Sequence, residues 1–247
     1  AFDTCFGALM EIAFELKDSA EWLIGSEGLI SSTGWDYADL FSSFNSTPLS
    51  VSDFCDSAIG QFKNQYSGAN GSTISQMRLS ETDLLFSSFE AFSKEIAVNI
   101  TTPAVRDVVL NAILHDTDVF HFASFPADLY VDLYSFTDKM ISISTAITAN
   151  TANQDAILAA GNTLKGSIDQ MVASTWSKKD DFSRKNIGVY VIPLQSLTAP
   201  AASHSQAYIK GTPDFDKSAF VEASEYWVPH ATPKTDSLLD KLFYWSY

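Results

Sequence analysis

The sequence predicts an α/β fold, a mostly parallel sheet flanked by helices on both faces. Three segments read as strands: "WLIGSEGLI" at 22–30, "TISQMRLS" at 73–80 and "NIGVYVIP" at 186–193. Each is short and apolar and is separated from the next by helices, a pattern that fits burial on both sides. Between them lie stretches whose apolar residues recur every three or four positions, so strands alternate with helices as in layered α/β folds. Three or four strands make a poor sheet, which is therefore expected to be completed by a segment outside this chain.

The elements follow in order. A helix is expected over 7–20, where Leu9, Ile12, Ala13, Leu16 and Ala20 share one face and Glu11, Glu15, Lys17 and Asp18 lie mostly away from it. After the strand at 22–30, whose glycines hint at close backbone approach, "STGWDY" turns the chain into a short helix ending near Phe44. Ser50 with Asp53 three residues on marks a helix start, followed by Phe54, Ala58, Phe62 and Tyr66 at helical spacing. "SGANGS" at 67–72 is a loop before the second strand. Ser80 and Asp83 are read as the cap of the next helix, with the stripe Leu85, Phe89, Phe92 and Ile96. Pro103 opens a helix that runs to about Asp116, and Pro126 opens another through "ADLYVDLYSF". An Ala-rich helix covers about 152–175, the third strand ends at Pro193, and a last helical piece lies near 234–245.

At 247 residues the chain is long enough for one large domain or two small ones with a substantial core. It is 46% hydrophobic, which excludes a disordered or fibrous class. The net charge of −15 repels phosphate backbones, so no nucleic-acid partner is expected and cationic partners or substrates are favoured; solubility alone is the plainer explanation of the acidity. No apolar stretch reaches the length of a membrane span, and with no charged-then-apolar leader any targeting segment is expected to have been removed or to lie outside the chain. Cys5 and Cys55, the only cysteines, define no disulfide framework.

The stretch "AFDTC" is apolar then polar and runs into a helix. A nucleophile at the carboxyl end of a parallel strand, just before a helix, is exposed where α/β sheets bind ligands. The helix N-terminus there would lower the pKa of the Cys5 thiol and help hold an oxyanion, and Gly7 allows close backbone approach. Taken alone, a Cys at a strand end is more often a small buried hydrophobe.

The segment "FDTCFGALMEIAFELKDSAEWLIGSEGLISSTGWDY" resembles the surroundings of the nucleophile in clostripain-like cysteine peptidases: an apolar strand, Asp-x-Cys, a small-residue turn, a Glu-containing helix, then "SE" and a Gly-Trp turn. Weaker echoes follow at "YVDLYSF" and at "AYIKGTPDFDKSAFVEASEYW". The resemblance implies a caspase-like fold, in which 1–45 is the C-terminal half of the catalytic core and 46–247 the helix-rich remainder, one continuous domain. It implies that Cys5 is the thiol nucleophile, its own N–H one oxyanion donor, and that Asp3 is the acid at the base of a pocket for Arg or Lys before the cut bond. Trp35 and Asp36 correspond to a segment contributing to that pocket; core packing and helix capping are the alternative for both. The family matures by cutting itself, and some members need calcium.

The family's general base is a His in a His-Gly motif on an earlier strand, and His115, His121, His204 and His230 do not stand in that context. A thiol alone lacks a proton donor for the leaving amine. The expectation is therefore a Cys-bearing heavy chain whose His comes from a light chain of the same precursor, in a secreted or bacterial cell-envelope enzyme. The alternative from another class is a non-catalytic binding module on the same scaffold.

Other constellations carry less. "HDTDVFH" at 115–121 groups His115, Asp116, Asp118 and His121 but fits no zinc signature, so no metal site is expected there. "TPDFDKS" at 212–218 has two Asp flanking Phe215 without the regular spacing of a calcium loop. "SKKDDFSRK" at 177–185 reads as a solvated loop that also offers basic residues to a Lys/Arg-specific peptidase. Cys55 sits beside the Phe54 stripe and is expected to be inert.

Overall fold

The structure is a computed structural model that describes residues 1–28, 30, 33–42, 50–66, 73–115, 119, 129–177, 185, 187–191, 219–224 and 238–243. Helix α1, Met10–Leu16, is shorter at both ends than the periodicity implies. It is followed by β1 (Trp22–Gly25), α2 (Tyr37–Ser42), α3 (Val51–Tyr66) and β2 (Thr73–Arg78). A 3₁₀ turn leads into α4 (Thr82–Asn99), and α5 (Pro103–His115) comes next. Further on are β3 (Leu129–Asp132), α6 (Leu133–Ser142), α7 (Ser144–Ile147), α8 (Thr151–Met171), β4 (Val172–Ser177), β5 (Gly188–Val191), α9 (Ala219–Ala223) and α10 (Leu238–Phe243).

The α/β character holds, but the described strands do not form a parallel sheet. They make a three-stranded sheet in the order β1-β2-β4 and a two-stranded sheet β3-β5, and every strand pairing in them is antiparallel. The expected cover on both faces is present. Leu23 and Met77 point into the larger core with α1, α4, α6 and α8, while Ile24 and Ile74 point into a smaller cluster with Trp35, Ala58, Ile59 and Phe62. Apolar residues on both faces report double cover, and double cover does not by itself set strand direction.

Two helix expectations become strands. The segment read as a helix from Pro126 contains β3, in which Val131 is fully buried and paired with Val189. The switch to α6 comes at Asp132, whose carboxylate accepts the Ser135 N–H at 2.8 Å and so caps the helix. The Ala-rich helix ends at Met171, and the β-favouring residues Thr175 and Trp176 pair with β2 instead. The Ser50–Asp53 start is a reciprocal cap: the Asp53 N–H donates to Ser50 Oγ at 3.1 Å, and the Ser50 N–H donates to Asp53 Oδ2 at 3.3 Å. The Ser80–Asp83 cap does not form. Glu81 occupies the N-cap without a side-chain capping bond, and Asp83 pairs with Lys17, just past the end of α1, instead.

Helix α4 is the axis of the larger core, with Leu85, Phe89, Phe92 and Ile96 all out of solvent contact. The C-terminal pieces close over it. Phe220 of α9 packs edge-on to Phe14 and Phe86, its N–H donates to Glu15 Oε1 at 2.9 Å, and Ser224 Oγ donates to buried Glu90 Oε1 at 2.6 Å. Among the described residues no helix is long and apolar enough to cross a membrane.

Candidate active site

The N-terminal stretch joins the two sheets. Phe2 N–H donates to Ile24 O at 2.8 Å, Ala8 N–H to Ser26 O at 2.9 Å and Phe6 N–H to Gly28 O at 3.0 Å, so residues 2–8 run beside β1 and its continuation. Ala8 O then accepts from the Gly188 N–H at 3.0 Å, and Leu9 forms a parallel bridge to Gly188, the first residue of β5. The crossing is tight: a Cβ on Gly25 would lie 2.7 Å from the Gly7 carbonyl carbon, which no neighbouring backbone could accommodate.

Cys5 lies in a turn rather than at the head of a helix, since α1 begins at Met10. Its Sγ accepts the Ile30 N–H at 3.4 Å and sits 3.9 Å from Ile30 O, so the thiol is clasped by one residue's backbone. Cys5 is half-buried. The next residue, Phe6, has φ +59°, a left-handed conformation that an aromatic side chain adopts only when the surroundings enforce it. They do: its ring stacks on Tyr130 of β3 at 4.4 Å.

Asp3 meets the chain five and seven residues beyond Ile30. Its Oδ2 accepts two hydrogen bonds, from the Trp35 N–H at 3.1 Å and from the Tyr37 hydroxyl at 2.8 Å. Its Oδ1 is screened from solvent and has no hydrogen-bond partner among the described residues. Gly34 makes this seat. Its φ is +63°, and a Cβ there would lie 2.6 Å from Asp3 Oδ2. Helix α3 holds the loop from behind: the Tyr66 hydroxyl and Gln65 Nε2 both donate to Gly34 O, and Gln65 Oε1 accepts the Asp36 N–H at 3.1 Å. The hydrogen bond to Asp3 is the main reason the Tyr37 hydroxyl titrates above its ordinary range.

The structure thus brings Cys5, Asp3 and Trp35 together between β1 and α2, at Ile30 and residues 33–37. Trp35 faces Asp3 with its N–H, while its indole packs edge-on to Phe62 in the smaller core. Asp36 accepts the Asp39 N–H at 3.1 Å with its side chain, at the start of α2. Cys55 is buried in α3, and burial, with help from Asp56, pushes its thiol up. Gly34, Tyr37 and the Phe6–Tyr130 stack escape sequence reasoning. The Gly-Trp turn signals the first, but no spacing rule marks the others.

None of the four His side chains lies among the described ones. "TPDFDKS", residues 116–118 and 120–121 of "HDTDVFH" and all but the ends of "SKKDDFSRK" also lie outside the described residues. Among those that are described, no three His, Cys, Asp or Glu side chains converge on a point. No step below runs through a calcium ion.

A model of the clostripain family matches residues 1–226. No curated protein sequence is a match. Among solved structures, a cysteine protease from B. fragilis is similar at TM-score 0.52 and 15% identity, covering 90% of this chain and 84% of that one. An inactive zymogen C11 protease from Parabacteroides distasonis is similar at TM-score 0.53 and 14% identity, covering 90% and 57%. A clostripain from Bacteroides thetaiotaomicron, in complex with a peptide inhibitor, is similar at 0.51 and 16%, covering 90% and 85%. At such identities the likeness concerns the fold, and the chain spans 57% of the length of the zymogen. Fold and family match together define a cysteine peptidase. The chain belongs to the clostripain family.

Proposed function

We propose that this chain is the Cys-bearing heavy chain of a secreted or envelope-associated endopeptidase that cleaves after Arg or Lys. The supporting observation is that residues between β1 and the head of α2 hold both the Cys5 thiol, through Ile30, and the Asp3 carboxylate, through Trp35 and Tyr37, with Asp3 Oδ1 left without a hydrogen-bond donor among the described residues. A carboxylate oxygen in that condition is suited to a substrate cation.

In this reading the Cys5 sulfur attacks the amide carbonyl after a basic residue whose side chain reaches Asp3. A His from a light chain of the same precursor takes the thiol proton and passes it to the leaving amine. The carbon–nitrogen bond breaks, leaving a thioester on Cys5, which water hydrolyses with the same His as base. The Cys5 N–H serves as one oxyanion donor. Self-cleavage of the precursor separates the chains, and the light chain completes a caspase-like sheet, with 1–45 as the C-terminal half of the catalytic core and 46–247 as its helix-rich remainder.

The precursor, expressed whole and purified, tests this. Intact mass under denaturing conditions should show a second, smaller chain with a His-Gly segment, and a chloromethyl ketone ending in Lys should alkylate Cys5 with loss of chloride, adding the mass of the reagent less HCl. A preparation with a single chain, in which Cys5 takes no label, would instead favour a non-catalytic module.

A further inference from the structure

A carboxylate can present an acceptor face at each of its two oxygens, and a guanidinium uses both when it docks in a fork. Asp3 does not offer both. Oδ2 already accepts the Trp35 N–H and the Tyr37 hydroxyl, which fill its two lone pairs, whereas Oδ1 accepts nothing among the described residues. The crowding has no slack on the glycine side, where the Gly34 backbone abuts the same carboxylate.

Given the peptidase reading above, on which this rests, we infer that Tyr37 is a specificity-determining positioning residue that makes Asp3 a one-oxygen acceptor and biases the enzyme toward Lys over Arg. An ammonium is a compact charge with three rotatable donors, and a single oxygen satisfies its need for a counter-charge. A guanidinium at the same place keeps its charge attraction but loses the second hydrogen bond of the fork, which is the source of its usual advantage. Access acts in the same direction. Oδ1 is screened from water in this state, so the cation displaces whatever covers it, and the slender Lys stem needs a narrower opening than the planar Arg head.

Tyr37 is the adjustable part. Its ring is half exposed and stacks on Phe41 of the same helix, so removing the hydroxyl leaves the packing intact while freeing one lone pair of Oδ2. The other donor is backbone and stays.

The test compares peptides differing only in Lys or Arg before the cut bond, using processed enzyme with its light chain, in the native, Tyr37→Phe and Asp3→Asn forms. Native enzyme should favour Lys in kcat/KM. Tyr37→Phe should raise the Arg-to-Lys ratio by about three- to tenfold, the worth of one hydrogen bond. A general loosening of the loop would lower both rates without changing their ratio. Circular dichroism establishes that Tyr37→Phe is folded, and competition by n-butylamine against n-butylguanidine reads the same preference without a scissile bond. Native preference for Arg, or an unchanged ratio in Tyr37→Phe whether or not both rates fall, overturns the inference and leaves the peptidase reading standing. Failure to cleave either peptide, or cleavage indifferent to Asp3→Asn, overturns both.

Discussion

Replacing Gly34 by Ala should damage stability and basic-substrate turnover together, because the position carries two separate demands. The left-handed backbone at φ +63° is the first, and it costs a residue with a Cβ about 1–2 kcal/mol. The second is steric: the new Cβ would lie 2.6 Å from Asp3 Oδ2, so the carboxylate must leave the Trp35 N–H or the Tyr37 hydroxyl. A hydrogen bond to a charged group is worth about 1.5–3 kcal/mol, and the half-exposed setting of Tyr37 argues for the lower end. The sum is about 3 kcal/mol, which for a chain of this size lowers the melting temperature by about 6–12 °C. Displacing Asp3 by about an ångström should also lower kcat/KM on Lys and Arg peptides by about ten- to a hundredfold. Thermal melts by circular dichroism and steady-state kinetics on the processed enzyme read the two effects. Gly34→Asn separates them, since Asn tolerates the left-handed region but still brings a Cβ against Asp3. It should recover part of the stability and none of the activity. An Ala variant that melts within about 2 °C of the native enzyme and cleaves at the native rate would falsify the account of this turn.

Three other outcomes follow from the same contacts. Asp3→Asn should reduce cleavage after Arg and Lys by about a hundredfold while Cys5 still reacts with iodoacetamide, and Tyr37 should then titrate at lower pH in an ultraviolet difference titration, because the Asp3 hydrogen bond is what holds it up. Cys55 titrates higher in the folded than in the unfolded chain, so its contribution to stability is complete below the ordinary thiol range and is lost as pH rises through the raised folded value. Denaturant melts above pH 9 should show this slope, and Cys55→Ala should flatten it. Phe89→Ala, at the fully buried centre of α4, should cost about 3–5 kcal/mol in chemical denaturation, and a cost under about 1 kcal/mol would place Phe89 outside the core.

Much of the local structure was legible from residue pattern. The stripes of α3 and α4, the Ser50–Asp53 cap, Pro103 at the head of α5 and the cores of β1, β2 and β5 lie where periodicity and capping chemistry put them. These signals work because they are local, each set by spacing along one chain segment. The Asp-Thr-Cys motif and the Gly-Trp turn were legible for the same reason, as short segments of recognisable type.

Strand direction was not, and neither was the exchange of helix for strand at 129–132 and at 172–175, the first part of β4. Val131 and Thr175 carry β preference, but a neighbouring strand has to be present to receive them, and that partner is distant in sequence. The fine geometry around Asp3 belongs to the same category. Residue identity determined that a carboxylate and a thiol would be near one another in the chain and that a glycine turn would follow about thirty residues on. That Oδ2 is filled by a backbone N–H and a tyrosine hydroxyl, while Oδ1 finds no donor among the described residues, was decided by tertiary structure alone. Hydrogen bonds of this kind need two segments more than thirty residues apart to meet within about 3 Å, and no one-dimensional pattern specifies such a meeting.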